Sequence, residues 1–211
     1  MKFKGIIFDL DGVIIHTDEF HFQAWKKIAD KIEIPFDRKI NDRLRGVSRM
    51  ESLDIILENS QEVFSQTEKE VLADEKNILY RDYLASLSHK DVDVVVLKTL
   101  RELKELGYRM AIGSSSKNAE FILRNIKLYE IFDAISDGNN ISKSKPDPEV
   151  FLKAAEFLML KPSECVVVED AHAGIDAAIT GGFACFGIGD ACKHNKVTWG
   201  INSFSEIKNY L

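Results

Sequence analysis

Short apolar runs alternate along the chain with longer stretches in which apolar residues recur at helical spacing. Residues 5–9, Arg109–Gly113, Ala134–Ser136, Cys165–Glu169 and Ala184–Gly187 read as strands. The consecutive Val166, Val167 and Val168 show no alternation, which marks a strand buried on both faces. Strands interleaved with amphipathic helices predict an α/β fold, a parallel sheet covered by helices.

Between Asp9 and Arg109 lies far more chain than the dozen or so residues that a crossover needs. Something is inserted there. Helical faces run through Trp25, Ile28, Ala29 and Ile32, through Leu53, Ile56 and Leu57, and through Val71, Leu72, Ile78, Leu79 and Tyr83. Ser48 with Glu51, and Thr67 with Glu70, have the spacing of capping boxes at helix starts. The pattern predicts a core of residues 1–14 and 94–211, with a helical cap of residues 15–93 above the carboxyl edge of the sheet. Residues 88–93 form the return linker. A helix through Val96, Leu100, Leu103 and Leu106 then stops at Gly107.

Composition narrows the partners. The 211 residues carry 28 Lys and Arg against 34 Asp and Glu, a net charge of −6, and no basic block. Counterion release would have little to work on, so no nucleic-acid partner is expected, whereas a small phosphate ester needs only a few positioned donors. Cys165, Cys185 and Cys192 show neither zinc spacing nor a CxxC motif, which fits a reducing compartment. The N-terminal stretch lacks the apolar region of a signal peptide, and no run approaches the roughly 18 apolar residues of a membrane span. A cytoplasmic monomer with no membrane partner is the expectation.

Ligands of open α/β sheets sit beyond the carboxyl ends of the strands. Asp9 and Asp11 follow the first strand, Ser114 to Asn118 the second, and Glu169 and Asp170 the fourth, while a loop carries Lys145 before Pro146. An Asp-x-Asp pair alone reads as solvated strand-end carboxylates. Joined by Glu169 and Asp170, it becomes an all-oxygen site suited to Mg²⁺ and a phosphate oxygen. Ser114 and Lys145 supply the hydroxyl and cation that neutralise a transferring phosphoryl group. Ser116, Lys117 and Asn118, opening a helix, either cap it or bind a second phosphate through their amides.

The ordered set Asp-x-Asp-Gly-Val, Ser, Lys, Glu-Asp resembles the haloacid dehalogenase superfamily, whose fold is a Rossmann-like parallel core with a cap. The resemblance implies that Asp9 is a nucleophile forming an aspartyl phosphate and Asp11 a general acid and base. It also implies Mg²⁺ held by Asp9, the Asp11 carbonyl, Asp170 and the Glu169 side. Within the insert, His21 to Trp25, the run Leu44 to Leu53 with Gly46, Val47, Arg49 and Ser52, and Lys76 with Asn77 resemble the β-phosphoglucomutase branch.

That resemblance implies interconversion of β-glucose 1-phosphate and glucose 6-phosphate through a hexose bisphosphate. Arg49 would grip the phosphate that is not being transferred, as a guanidinium can do bidentately. His21 and Lys76 would touch the sugar or steady Asp11. Trp25 would pack near the pocket, although its periodicity makes it a core residue first. Ser115 would belong to the same binding strip as Ser114. The rivals are a sugar-phosphate or phospho-acid phosphatase with the same core, and a silent phospho-sugar sensor. Val94 and Val95 replace the Pro-Gly usual at the second hinge, His16 replaces a commonly acidic residue, and residues 189–200 match loosely.

Overall fold

The computed structural model describes residues 3–211. Six strands form one parallel sheet: β1 (Gly5–Phe8), β2 (Arg109–Gly113), β3 (Ala134–Ser136), β4 (Cys165–Glu169), β5 (Ala184–Gly187) and β6 (Trp199–Gly200). Their order is β3-β2-β1-β4-β5-β6. The order reverses at β1, so the crevice a ligand would use opens between the carboxyl ends of β1 and β4. Phe8 stands opposite Val168 there, and the Asp9 amide still donates to the Val168 carbonyl at 2.9 Å. The first strand therefore ends one residue earlier than the sequence suggests. β6 escaped sequence reading because two residues, one of them Gly, carry no pattern.

Period-two side chains sort the sheet into two layers. Ile6, Phe8, Met110, Ile112, Val166 and Val168 face one cluster, which α5 (Val94–Glu105), α6 (Ala119–Asn125) and the C-terminal turn Phe204–Asn209 cover. Ile7, Ala111 and Val167 face the other, closed by α7 (Glu149–Phe157) and α8 (His172–Thr180).

The insert contains α1 (Asp18–Lys31), α2 (Arg38–Asp42), α3 (Arg49–Leu57) and α4 (Gln66–Leu84). Trp25, Ile28, Ala29, Phe36, Leu53, Ile56 and Leu72 make a separate apolar cluster. The lower end of the insert, Ala24, Tyr80 and Leu84, joins the sheet's own cluster instead. Ser48 and Glu51 form the expected capping box. The second box is displaced: Ser65 and Glu68, not Thr67 and Glu70, exchange the hydrogen bonds. Ser65 has extended backbone and can turn its hydroxyl onto the Glu68 amide, whereas Thr67 already lies inside α4. Glu68 thus caps α4.

After the return linker, the Asp93 carboxylate accepts from the Val95 amide at 2.7 Å and starts α5, a side-chain cap directly before Val94 and Val95. The helix ends before Gly107, whose φ of +85° suits glycine. Among the described residues no helix is long and apolar enough to cross a membrane.

Candidate active site

The turn after β1 brings its two aspartates to different tasks. Gly12, at φ +90°, reverses the chain, and its amide donates to the Ile15 carbonyl at 2.8 Å. Asp9 stays buried beyond the carboxyl end of β1, while Asp11 accepts a hydrogen bond from Thr17 of the insert. Across the crevice, Glu169 accepts from the Ala171 amide at 3.0 Å and the Asp170 amide at 3.2 Å through Oε1.

Lys145 ties the two strand ends together. Its ammonium donates to Asp9 Oδ1 at 2.5 Å and Glu169 Oε2 at 2.7 Å, and the whole side chain is buried. Burial alone would lower its pKa, but the two carboxylates more than offset this and hold it above the ordinary lysine range. Burial raises Asp9 to about 7; the Lys145 ammonium opposes this and the Glu169 charge adds to it. Burial, then the charges of Glu169 and Asp9, raises Asp170 to about 9.

One ammonium thus faces more carboxylate charge than it can neutralise. Oxygens of Asp9, Glu169 and Asp170 lie within 4.8 Å of one another and all three residues have little exposure. Hard oxygen donors with surplus negative charge fit a divalent cation of the Mg²⁺ type. Both Glu169 oxygens already accept hydrogen bonds, so Asp9 and Asp170 are the freer donors.

Asp11 is held from the insert. The Thr17 hydroxyl donates to Asp11 Oδ1, and the Tyr80 hydroxyl donates to Thr17 Oγ1 at 3.2 Å. Burial first, and then the charge of Asp9, lifts Asp11 to about 7, close to the ideal for a proton donor at neutral pH. Lys76, buried in α4, lies 2.9 Å from His21 Nδ1, with its ammonium 4.3 Å from the Tyr80 ring centroid. Burial drives Lys76 well below the usual lysine value, and Arg49 adds to the effect; burial and Lys76 likewise keep His21 well below its usual value.

A second group of donors lines the same cavity, of about 700 Å³. Arg49 starts α3 and is partly buried. Ser114, Ser115, Ser116, Lys117 and Asn118 follow β2, where the Ser114 hydroxyl accepts from the Ser116 amide at 3.2 Å. Ser115 Oγ donates to the Gly46 carbonyl at 3.0 Å, joining core to insert.

The cavity wall unites Asp9, Asp11, Glu169 and Asp170 with His21, Trp25, Gly46, Val47, Arg49, Ser52, Lys76 and the strip 114–118. Lys145 is the exception. It stands behind Asp9, outside the wall, and spends its charge on the carboxylates. Trp25 serves both readings, since it is buried in the insert's cluster and also borders the cavity. Arg45 pairs with Asp18 at 2.7 Å.

Sequence reading gave no role to Thr17, Tyr80 or Gly174, and noted Asn77 only as the neighbour of Lys76. A Cβ on Gly174 would come within 2.0 Å of the Glu169 carboxyl carbon, so only glycine lets α8 approach this closely. A glycine so soon after Glu-Asp was the available signal. Thr17 and Tyr80 gave none, because their meaning depends on how α4 packs.

A family profile described as haloacid dehalogenase-like hydrolase matches residues 3–182. The chain belongs to this family. Among its relatives in the haloacid dehalogenase-like family, a β-phosphoglucomutase of Bacillus subtilis is 43% identical over 188 residues, 88% of this chain and 83% of that protein. A fructose-1-phosphate phosphatase of Escherichia coli is 30% identical over 86% of this chain and 94% of that protein. The crystal structure of a β-phosphoglucomutase from Clostridium difficile shares the haloacid dehalogenase-like fold with a TM-score of 0.92 and 37% identity, covering 97% of this chain and 93% of that one.

Proposed function

We propose that the protein acts as a phosphoglucomutase, interconverting β-D-glucose 1-phosphate and glucose 6-phosphate. The observation that carries this reading is a single cavity lined both by the carboxylates Asp9, Asp11, Glu169 and Asp170, read as a nucleophile pole, and by Arg49 with Ser116, Lys117 and Asn118, read as a donor pole. A mutase must hold two phosphates at once. The relative of 43% identity points the same way.

Asp9 attacks the phosphorus atom through a carboxylate oxygen, and the bond from phosphorus to the sugar oxygen breaks. Asp11 gives its proton to that leaving oxygen, and in the reverse half-reaction takes the proton from the attacking hydroxyl. Lys145 fixes Asp9 through Oδ1, which leaves the other oxygen for attack. Ser114, buried at the end of β2, offers a hydroxyl to the transferring group. Asp9, Asp170 and the Asp11 carbonyl would hold Mg²⁺ beside Glu169; when bound, it supplies positive charge against the developing charge on the phosphoryl oxygens.

Arg49, Ser116, Lys117 and Asn118 grip the phosphate that is not reacting. Lys76, His21, Ser52 and the Gly46–Val47 backbone border the sugar. The bisphosphate turns over so that its two phosphates exchange poles. Residues 15–93 act as a cap over a core of residues 1–14 and 94–211, and closure excludes water long enough to spare the aspartyl phosphate.

A coupled assay on each anomer of glucose 1-phosphate tests the reading. Glucose 6-phosphate should form from the β anomer, and Arg49→Ala should impair this conversion far more than any side hydrolysis. Rapid phosphate release with little glucose 6-phosphate would make the protein a phosphatase.

A further inference from the structure

The donor pole is assembled from two halves of the molecule, and one atom joins them. Asn77, on α4, lies outside the cavity wall. Its carboxamide oxygen accepts from Arg49 Nη2 at 2.9 Å, within the insert, and from Asn118 Nδ2 at 2.9 Å, in the core. Among the described residues the ion-pair partner of Arg49 is the largely exposed Asp74, at 3.6 Å. So weak a partner cannot fix a long side chain.

We infer that Asn77 is the positioning residue of the second-phosphate pole, joining Arg49 of the cap to Asn118 of the core so that both meet the non-reacting phosphate of a hexose bisphosphate together. The inference rests on the mutase reading for the identity of that ligand. A guanidinium has five N–H donors and the Asn118 amide has two, so the shared oxygen leaves most of them for phosphate. Holding them in advance spares the ordering of a flexible Arg when the ligand arrives. The neutral oxygen also leaves the Arg49 charge unspent, which a carboxylate at position 77 would quench.

Calorimetric titration with glucose 1,6-bisphosphate, without Mg²⁺ to prevent turnover, tests this on the full chain. Asn77→Ala should weaken binding about tenfold, the size of one lost hydrogen bond to a charged group. Asn77→Asp, which keeps both acceptor contacts, should weaken it at least as much. With Mg²⁺ present, the KM for β-glucose 1-phosphate should rise more than kcat falls. Turnover of acetyl phosphate, which has no second phosphate, should stay within about twofold of wild type.

Unchanged bisphosphate affinity in Asn77→Ala, or wild-type affinity in Asn77→Asp, would overturn the proposal. So would an equal loss with acetyl phosphate, since that marks a merely structural contact. If the affinity losses appear but wild type makes no glucose 6-phosphate, the assignment of Asn77 stands and the mutase reading alone fails.

Discussion

The Glu169 carboxylate occupies the space that any side chain on Gly174 would need, with its carboxyl carbon 2.0 Å from the position of a Cβ there. Gly174→Ala must therefore push Glu169 away from Lys145 and from the loop amides. Overpacking of this kind costs about 1–3 kcal/mol, and disturbing the partners of a metal site weakens binding about 10–100-fold. Mg²⁺ titration followed by calorimetry should show that weakening, and wild-type affinity would mean that α8 yields instead.

Lys145 is the counter-charge of a buried acidic cluster. Lys145→Ala leaves Asp9 and Glu169 without it, and breaking a buried pair from one side costs about 3–5 kcal/mol. Urea unfolding should register the loss, greater at alkaline than at acid pH because the carboxylates can take up protons in compensation. A loss below about 1 kcal/mol would show the cluster to be nearly self-sufficient.

Asp170 makes metal-free stability depend on pH. Its folded-state value near 9 lies above its ordinary 3.8, so its contribution is fully present below about pH 4 and is lost as pH rises towards 9. In chelator at pH 8, Asp170→Asn should melt at a higher temperature than wild type. Mg²⁺ should raise the melting temperature of wild type and leave the variant nearly unmoved. A variant that melts lower in chelator would contradict the sign.

Asp11 sits at the end of a hydroxyl chain from Tyr80 through Thr17. Asp11→Ala should lower turnover in both directions by about 10²–10⁴-fold, the usual worth of positioned proton transfer. Steady-state rates measured from each hexose phosphate decide it, and near-normal turnover would place the proton donor elsewhere.

The strand ends were legible because they are local: a short apolar run that stops at Asp or Glu announces both the strand and its polar terminus, as at Asp9 and Glu169. The helical insert was legible from the length between β1 and β2 and from its period. The hydroxyl chain was not, since Tyr80 and Thr17 stand 63 positions apart and meet only once α4 packs beside α1. Asn77 was visible merely as the neighbour of Lys76, because its role arises from Asn118, 41 positions later. Lys145 drew attention for its charge, but nothing local shows that its side chain is fully buried. The second capping box failed for a different reason, as Ser65–Glu68 and Thr67–Glu70 satisfy the same spacing and only the true start of α4 chooses between them.

The central position of β1 also governs how the molecule can be made. Gly5 is synthesised long before Cys165, the residue it pairs with. Until that far segment emerges, a nascent chain presents an unpaired, wholly apolar strand border, the kind of surface on which polypeptides associate wrongly. Translation of residues 10–164 is therefore the interval in which a holding chaperone would matter most for yield.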